Sequence, residues 1–351
     1  MKILKKIGLL LLALIIANSI YYYVKPEEVK QLVKNNSLET INKDWKGNVK
    51  IGNEFSNGEE KDVQIMPLDI LKWKLSKNPQ ATEKKEDTFR LNVVENQAFL
   101  HSNKDMIVWL GHATFFIRIA GKTILTDPVL GDVSFIKRLT GNACATDSLK
   151  NIDYILLSHG HRDHFDKPTL KTIFKNNVDV EALIPLELNA YFDKNNIKNQ
   201  QAGWYQKYKT TADLEIYFMP ARHWNRRGAL DFNKNLWGSF IIKSKDKTIY
   251  FSGDTAYGSH FKEISNYFGK IDYSLLSIGA YKPEKIMKNT HMTPLEALQA
   301  HNDLNGTVFI PMHFATYDLS DEPIGEPVRI LEKKMENNTI KFLDVGEELM
   351  L

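Results

Sequence analysis

Nine residues, Ser158-His159-Gly160-His161-Arg162-Asp163-His164-Phe165-Asp166, follow directly on the apolar run Tyr154-Ile155-Leu156-Leu157 and constrain this chain more than any other stretch. They hold three imidazoles and two carboxylates at the end of a strand that reads as buried. On an extended backbone alternate side chains share a face, so His159 and His161 can converge on one ion. Asp163 and His164, past the turn that follows, can face a second ion a few ångströms away. Imidazole and carboxylate together suit zinc. The bland alternative is a solvated polar loop, which the density of the cluster argues against.

The pattern recurs downstream. Leu214-Glu215-Ile216-Tyr217-Phe218 leads to His223, Thr248-Ile249-Tyr250-Phe251 to Asp254, and Thr307-Val308-Phe309-Ile310 to His313. A lone histidine after a strand is more often structural than metal-binding. Four strand ends in one chain, each carrying a candidate ligand, point instead to a single assembled site, because rigid strands hold short loops in place. Upstream, Met106-Ile107-Val108-Trp109-Leu110, Thr114 to Ile119 and Thr123-Ile124-Leu125-Thr126 read as strands, with a hairpin turn at Gly121-Lys122. Pro168 stands at a plausible first helical position for the run to Phe174. The class is α/β with sheets at the centre.

The 351 residues allow two or three average domains or one large α/β unit. A net charge of +3 on so long a chain suggests no nucleic-acid surface. The single cysteine, Cys144, excludes an intramolecular disulfide and a zinc site built from several thiolates, so any metal rests on His and Asp.

Lys2, Lys5 and Lys6 precede a run from Ile7 to Val24 that is apolar or aromatic apart from Gly8, Asn18 and Ser19. It approaches the roughly 20 residues that span a bilayer. With the lysines on the cytoplasmic side and Tyr21, Tyr22 and Tyr23 at the far interface, residues 1–24 read as a membrane anchor. The rest of the chain then lies outside the cytoplasm, in a periplasm or at the cell surface. The rival is a cleaved signal peptide with Ala17 and Ser19 near the cut, giving a secreted protein. Residues 25–104, rich in Lys, Glu and Asn, read as a tether followed by a docking segment. In that segment Ile70 to Leu75 would pack on the domain, and Lys84 to Asp87 would form a solvated loop. Residues 105–351 read as one α/β domain that carries the candidate ligands.

Further blocks carry a resemblance: Trp109-Leu110-Gly111-His112-Ala113-Thr114, Leu125-Thr126-Asp127-Pro128, His223-Trp224, Leu236-Trp237-Gly238-Ser239, Gly253-Asp254-Thr255, Ile278-Gly279-Ala280-Tyr281, His291-Met292-Thr293-Pro294 and Met312-His313-Phe314. From about Leu91 onward the chain resembles the metallo-β-lactamase superfamily, and within it the phospholipase D family that hydrolyses N-acylphosphatidylethanolamine. The resemblance implies an αββα sandwich and two zinc ions. His159, His161 and His223 would hold the first ion and Asp163, His164 and His313 the second, with Asp254 bridging. The paired charge would bring a water to hydroxide near neutral pH, with Asp163 orienting it. In the family a histidine at the place of His291 lies near the substrate phosphate. Here it also sits just ahead of Thr293-Pro294-Leu295-Glu296, a capping box that would make it structural.

His112 and Asp127 read as groups that hold ligands in place rather than as ligands. His101, His260 and His301 read as surface or satisfied histidines. Arg162 departs from the family, which tends to carry a substrate-contacting aromatic there; a guanidinium would meet an anionic headgroup or solvent. The leading functional reading is a membrane-tethered phosphodiesterase of phospholipase D type. It would release N-acylethanolamine and phosphatidic acid from its phospholipid substrate. A hydrolase of the same fold acting on a lactone, ester or amide is the alternative, and a non-catalytic metal scaffold stands behind both. Nothing in the sequence sets an oligomeric state.

Overall fold

In the computed structural model, which describes residues 29–58, 67–95, 97–334 and 339–351, strands appear well before Asp105. They are β1 (Lys30–Val33), β2 (Glu39–Thr40), β3 (Asn48–Ile51) and β4 (Glu54–Phe55). β1, β3 and β4 make a small antiparallel sheet of their own, and β2 joins the edge of a larger one. Short polar strands carry little apolar signal; here distant partners fix them. Asn35 Nδ2 donates to the Gln201 carbonyl at 2.7 Å, and Gln206 Nε2 donates to the Asn35 carbonyl at 2.7 Å. Lys50 Nζ reaches Glu187 at 2.6 Å. Residues 30–58, placed by the sequence in a tether, thus lie against the domain.

The core is two seven-stranded sheets. The first runs from β5 (Met106–Trp109) through β6 (Phe115–Ile119), β7 (Lys122–Thr126), β8 (Tyr154–Leu156), β9 (Glu181–Pro185) and β10 (Asn199–Ala202). The second contains β11 (Gln206–Lys207), β12 (Glu215–Met219), β13 (Ser239–Lys243), β14 (Thr248–Phe251), β15 (Ile271–Ser277) and β16 (Gly306–Met312). The last strand, β17 (Glu348–Met350), returns to pair with β5.

Both sheets follow one plan. An antiparallel meander, β5–β6–β7 or β12–β13–β14, is extended by parallel strands, β8 and β9 or β15 and β16. Parallel neighbours need crossovers: helices Lys167–Asn176, His260–Phe268 and Pro294–Asp303 supply those to β9, β15 and β16, and residues 127–153 connect β7 to β8 without an α-helix. Because helices cover the outer faces and the sheets cover each other, β5, β8, β9 and β14 are buried at every residue. The inner faces meet at Phe115 and Phe251, whose rings lie 6.4 Å apart edge to face. They also meet at Gly253, whose φ is +55° and where a Cβ would lie 2.5 Å from that of Ser158. No side chain fits there.

The docking segment packs differently from expectation. In helix Pro67–Leu75, Leu71 and Leu75 stay exposed, and the contact is polar: Trp73 Nε1 donates to Asp321 Oδ2 at 2.9 Å. Lys84 to Asp87 is no solvated loop. It ends a helix, Ala81–Glu86, from which Lys84 pairs with Asp318 and Asp87 with Arg329. Charges that look solvated in the sequence meet their complements more than 200 residues away. No helix among the described residues is long and apolar enough to cross a membrane, and the segment Ile7 to Val24 lies outside those residues.

Candidate metal centre

Every candidate but His291 lies just past a strand on the same edge of the sandwich: His112 after β5, Asp127 after β7, His159 to His164 after β8, His223 after β12, Asp254 after β14 and His313 after β16. Three turn on a left-handed backbone, at φ 53° for His112, 33° for Asp127 and 62° for His313. Non-glycine residues hold such angles only where neighbours fix them. His112 N–H donates to Thr316 Oγ1 at 2.7 Å, His313 N–H to the His112 carbonyl at 3.0 Å and Asp127 N–H to the Leu156 carbonyl at 2.9 Å.

His159, His161, His223 and Asp254 form one group in which a donor atom of each lies within 4.8 Å of the others. His161 Nδ1 stands 2.8 Å from His159 Nε2 and 3.2 Å from His223 Nε2. The neighbouring contacts fix the tautomers. His223 Nδ1 lies 2.9 Å from the Thr290 carbonyl, which only accepts, so Nδ1 carries the proton and Nε2 turns a bare lone pair inward. Ser158 gives its hydroxyl proton to Asp127 Oδ2 at 2.6 Å and so accepts from His159 Nδ1 at 2.9 Å, which again leaves Nε2 bare. Both bare nitrogens thus face His161 Nδ1, an arrangement in which three rings can share one cation.

The second group is Asp163, His164 and His313, with His112 beside them. His164 Nδ1 donates to Asp127 Oδ2 at 2.7 Å, which leaves Nε2 as the ring nitrogen facing Asp254 Oδ2 at 3.1 Å. His313 Nε2 lies 3.1 Å from Asp254 Oδ1 and 3.6 Å from Asp163 Oδ2. Asp254 therefore faces both groups, its Oδ2 also lying 3.8 Å from His223 Nε2 and 3.9 Å from His159 Nε2. His161 Nε2, His164 Nε2, Asp254 Oδ1 and both ring nitrogens of His313 are buried without a hydrogen-bond partner. Buried nitrogen and carboxylate donors left without partners side by side fit one or more metal cations.

The electrostatics say the same. Burial opposes charge on His164 and His313, yet Asp254 and Asp163 outweigh it, lifting His313 to about 9 and His164 well above its ordinary value. Burial would raise Asp163 and Asp254, but the facing imidazoles hold both well below the usual carboxylate range. Where no carboxylate dominates, burial wins: His161 and His291 fall to about 4 and His112 to about 3. The two carboxylates thus demand positive charge at the centre.

His291 lies at the rim, its Nδ1 3.9 Å from Asp254 Oδ2. The capping box behind it is present, with Thr293 and Glu296 exchanging side-chain and backbone hydrogen bonds. His112 Nε2 meets Asp163 Oδ2 at 3.2 Å, and Asp127 receives Ser158 and His164, so both stand where they can orient neighbouring donors. His260 and His301 lie elsewhere, buried against Thr255 and Ser274, and His101 is exposed. Arg162 is exposed and donates to the Arg227 carbonyl at 3.2 Å. Sequence reasoning missed Ser158, Thr290 and Asn57, which hold donors in place. Only Ser158 carried a signal, its place at the head of the His cluster.

Residues 122–314 match the model of a β-lactamase superfamily domain. The chain is 30% identical over 271 residues to N-acyl-phosphatidylethanolamine-hydrolyzing phospholipase D 1 of Caenorhabditis elegans, a match that covers 71% of this chain and 73% of the relative. It is 31% identical over 213 residues to a UPF0173 metal-dependent hydrolase of Caldivirga maquilingensis, covering 60% of this chain and 82% of that one. Among solved structures, a metallo hydrolase from Ignicoccus hospitalis superposes with a TM-score of 0.55 at 21% identity, over 71% of this chain and 98% of the other; it shares the fold.

Proposed function

From its membership of the metallo-β-lactamase superfamily, as a metal-dependent hydrolase related to the N-acyl-phosphatidylethanolamine-hydrolysing phospholipases D, we propose that this chain is a zinc phosphodiesterase acting on N-acylphosphatidylethanolamine-like lipids. Its products would be an N-acylethanolamine and phosphatidic acid. The observation that carries the substrate class is the identity with the Caenorhabditis elegans enzyme over most of both chains.

His159, His161 and His223 would hold one ion, Asp163, His164 and His313 a second, and Asp254 both. When bound, such a pair supplies Lewis acidity, bringing water toward hydroxide near neutral pH and offsetting charge on phosphoryl oxygens. Asp163, whose Oδ2 lies 3.2 Å from His112 Nε2 and 3.6 Å from His313 Nε2, would orient the attacking water. His291 is held at the rim by its own helix cap. There its ring N–H can meet a non-bridging oxygen of the phosphate, and the same contact strengthens as charge builds in the transition state. Asp127 and Ser158 keep His159 and His164 in the tautomers that leave Nε2 free. We also propose that residues 7–24 tether the chain to a bilayer with this domain outside the cytoplasm.

The test is hydrolysis of three substrates by the zinc-loaded protein: N-acylphosphatidylethanolamine vesicles, a water-soluble phosphodiester and a lactone. The reading expects the lipid to turn over fastest. A second reading has its own support, since the Caldivirga maquilingensis hydrolase is matched over 82% of its length; turnover of the lactone and of neither phosphodiester would establish it and overturn the first.

A further inference from the structure

The three histidines of the first donor group come from two loops that no strand pairing joins: the one after β8, with His159 and His161, and the one after β12, with His223. Buried carboxamides join them instead. Asn57, just past β4, donates Nδ2–H to the His223 carbonyl at 3.0 Å and accepts the His223 N–H at 3.2 Å, gripping that backbone on both sides. Trp237 Nε1 donates to the same Asn57 oxygen at 3.2 Å. Two residues after His223, Asn225 Oδ1 accepts at 2.8 Å from the N–H of Gly160, the residue between His159 and His161. The approach depends on glycine, since a Cβ at position 160 would lie 2.8 Å from that oxygen.

Asn233 closes the circuit. Its Oδ1 accepts the Asn225 N–H at 2.9 Å, its N–H donates to the Asn225 carbonyl at 2.7 Å, and its carbonyl accepts the Phe55 N–H at 2.7 Å, which returns to the segment carrying Asn57. Asn57, Asn225 and Asn233 are at most 5% exposed, so none of these bonds exchanges readily with water.

We propose that Asn57, Asn225 and Asn233 are positioning residues that fix the spacing between His161 and His223, and so set the affinity of the first donor group for its metal. A site must be held within about 0.5 Å of its working geometry by such supporting contacts, and losing them typically costs about 10- to 100-fold in metal affinity. The N-terminal segment is then part of the centre through Asn57. The proposal rests on the metal reading of the site and not on the lipid substrate.

The experiment titrates full-length, chelator-stripped protein with Co²⁺, following the visible absorption of the bound ion, and with Zn²⁺ against a chromophoric chelator. Asn57→Ala and Asn225→Ala should each weaken one equivalent about tenfold or more, shift its Co²⁺ spectrum and leave the other equivalent near the wild-type value. Asn225→Asp keeps the oxygen that accepts from Gly160 and should restore most of the loss. Asn177→Ala is the control for general destabilisation: this buried carboxamide donates to the Leu149 and Ile173 carbonyls, outside the donor groups, and should lower thermal stability without changing either affinity. If Asn57→Ala and Asn225→Ala bind both ions like the wild type, or if Asn177→Ala weakens binding equally, the network is not a positioning device. A wild type that binds no ion overturns the metal reading beneath it.

Discussion

Asp254 is the residue on which both donor groups converge. One of its oxygens lies 3.1 Å from His164 Nε2 and the other 3.1 Å from His313 Nε2, at 2% side-chain exposure. Asp254→Ala removes a buried charge facing five imidazoles, so both ions should bind more weakly and turnover should fall on the order of 10³-fold. Elemental analysis and steady-state rates on the purified variant check this; two tightly held ions with near-normal turnover would place the bridge elsewhere. The residues of this centre were legible because four strand ends in one chain each carry a His or Asp, where one alone would mean little. Their supports were not. A carboxamide such as Asn57 is common in polar loops, and its partner His223 lies 166 positions away, so nothing local marks it.

At the level of elements, the apolar strands from Met106 onward were readable because burial on both faces leaves continuous runs, and the capping box at Thr293 because its two residues are three apart. Within residues 25–104, the strands from Lys30 to Phe55 and the pairing of Lys84 and Asp87 were not readable for the opposite reason: their hold on the domain is polar and long-range. Asp87 shows how that hold works. It accepts from Gly325 N–H, at the start of helix Glu326–Glu332, at 2.8 Å and pairs with Arg329 at 2.8 Å. The Arg329 hydrogen bond, against the opposing cost of burial, lowers its pKa from 3.8 to about 2. A depressed carboxylate stabilises the fold fully above its ordinary pKa and loses that contribution as pH falls through the folded value, here from about pH 4 to about pH 2. Arg329 is half-exposed, so the amount is discounted for solvent to about 1 kcal/mol. Unfolding followed from pH 5 to pH 2 should show Asp87→Asn less stable at the upper end and converging on wild type at the lower. Parallel curves would mean that the clamp is inert.

For the molecule as a whole, the proposed function turns on how the sandwich would meet a lipid. The proposed tether ends at Val24, and six residues later β1 begins the strands that lie against the domain, so little slack chain separates bilayer from centre. A short tether raises the effective concentration of substrate held in the same membrane, and it does nothing for a substrate in solution. Removing the residues before Lys25 while keeping Asn57 and its partners should therefore cut hydrolysis of vesicle lipid by about tenfold or more, and leave hydrolysis of a water-soluble phosphodiester near the full-length rate. Fractionation separates the routes to this outcome: an anchored chain stays with membranes at its uncut mass, and a cleaved signal peptide leaves a shortened soluble form. If full-length and truncated proteins hydrolyse vesicles equally, residues 7–24 do not present the centre to its substrate, and the lipid must reach the rim at His291 by the domain's own surface.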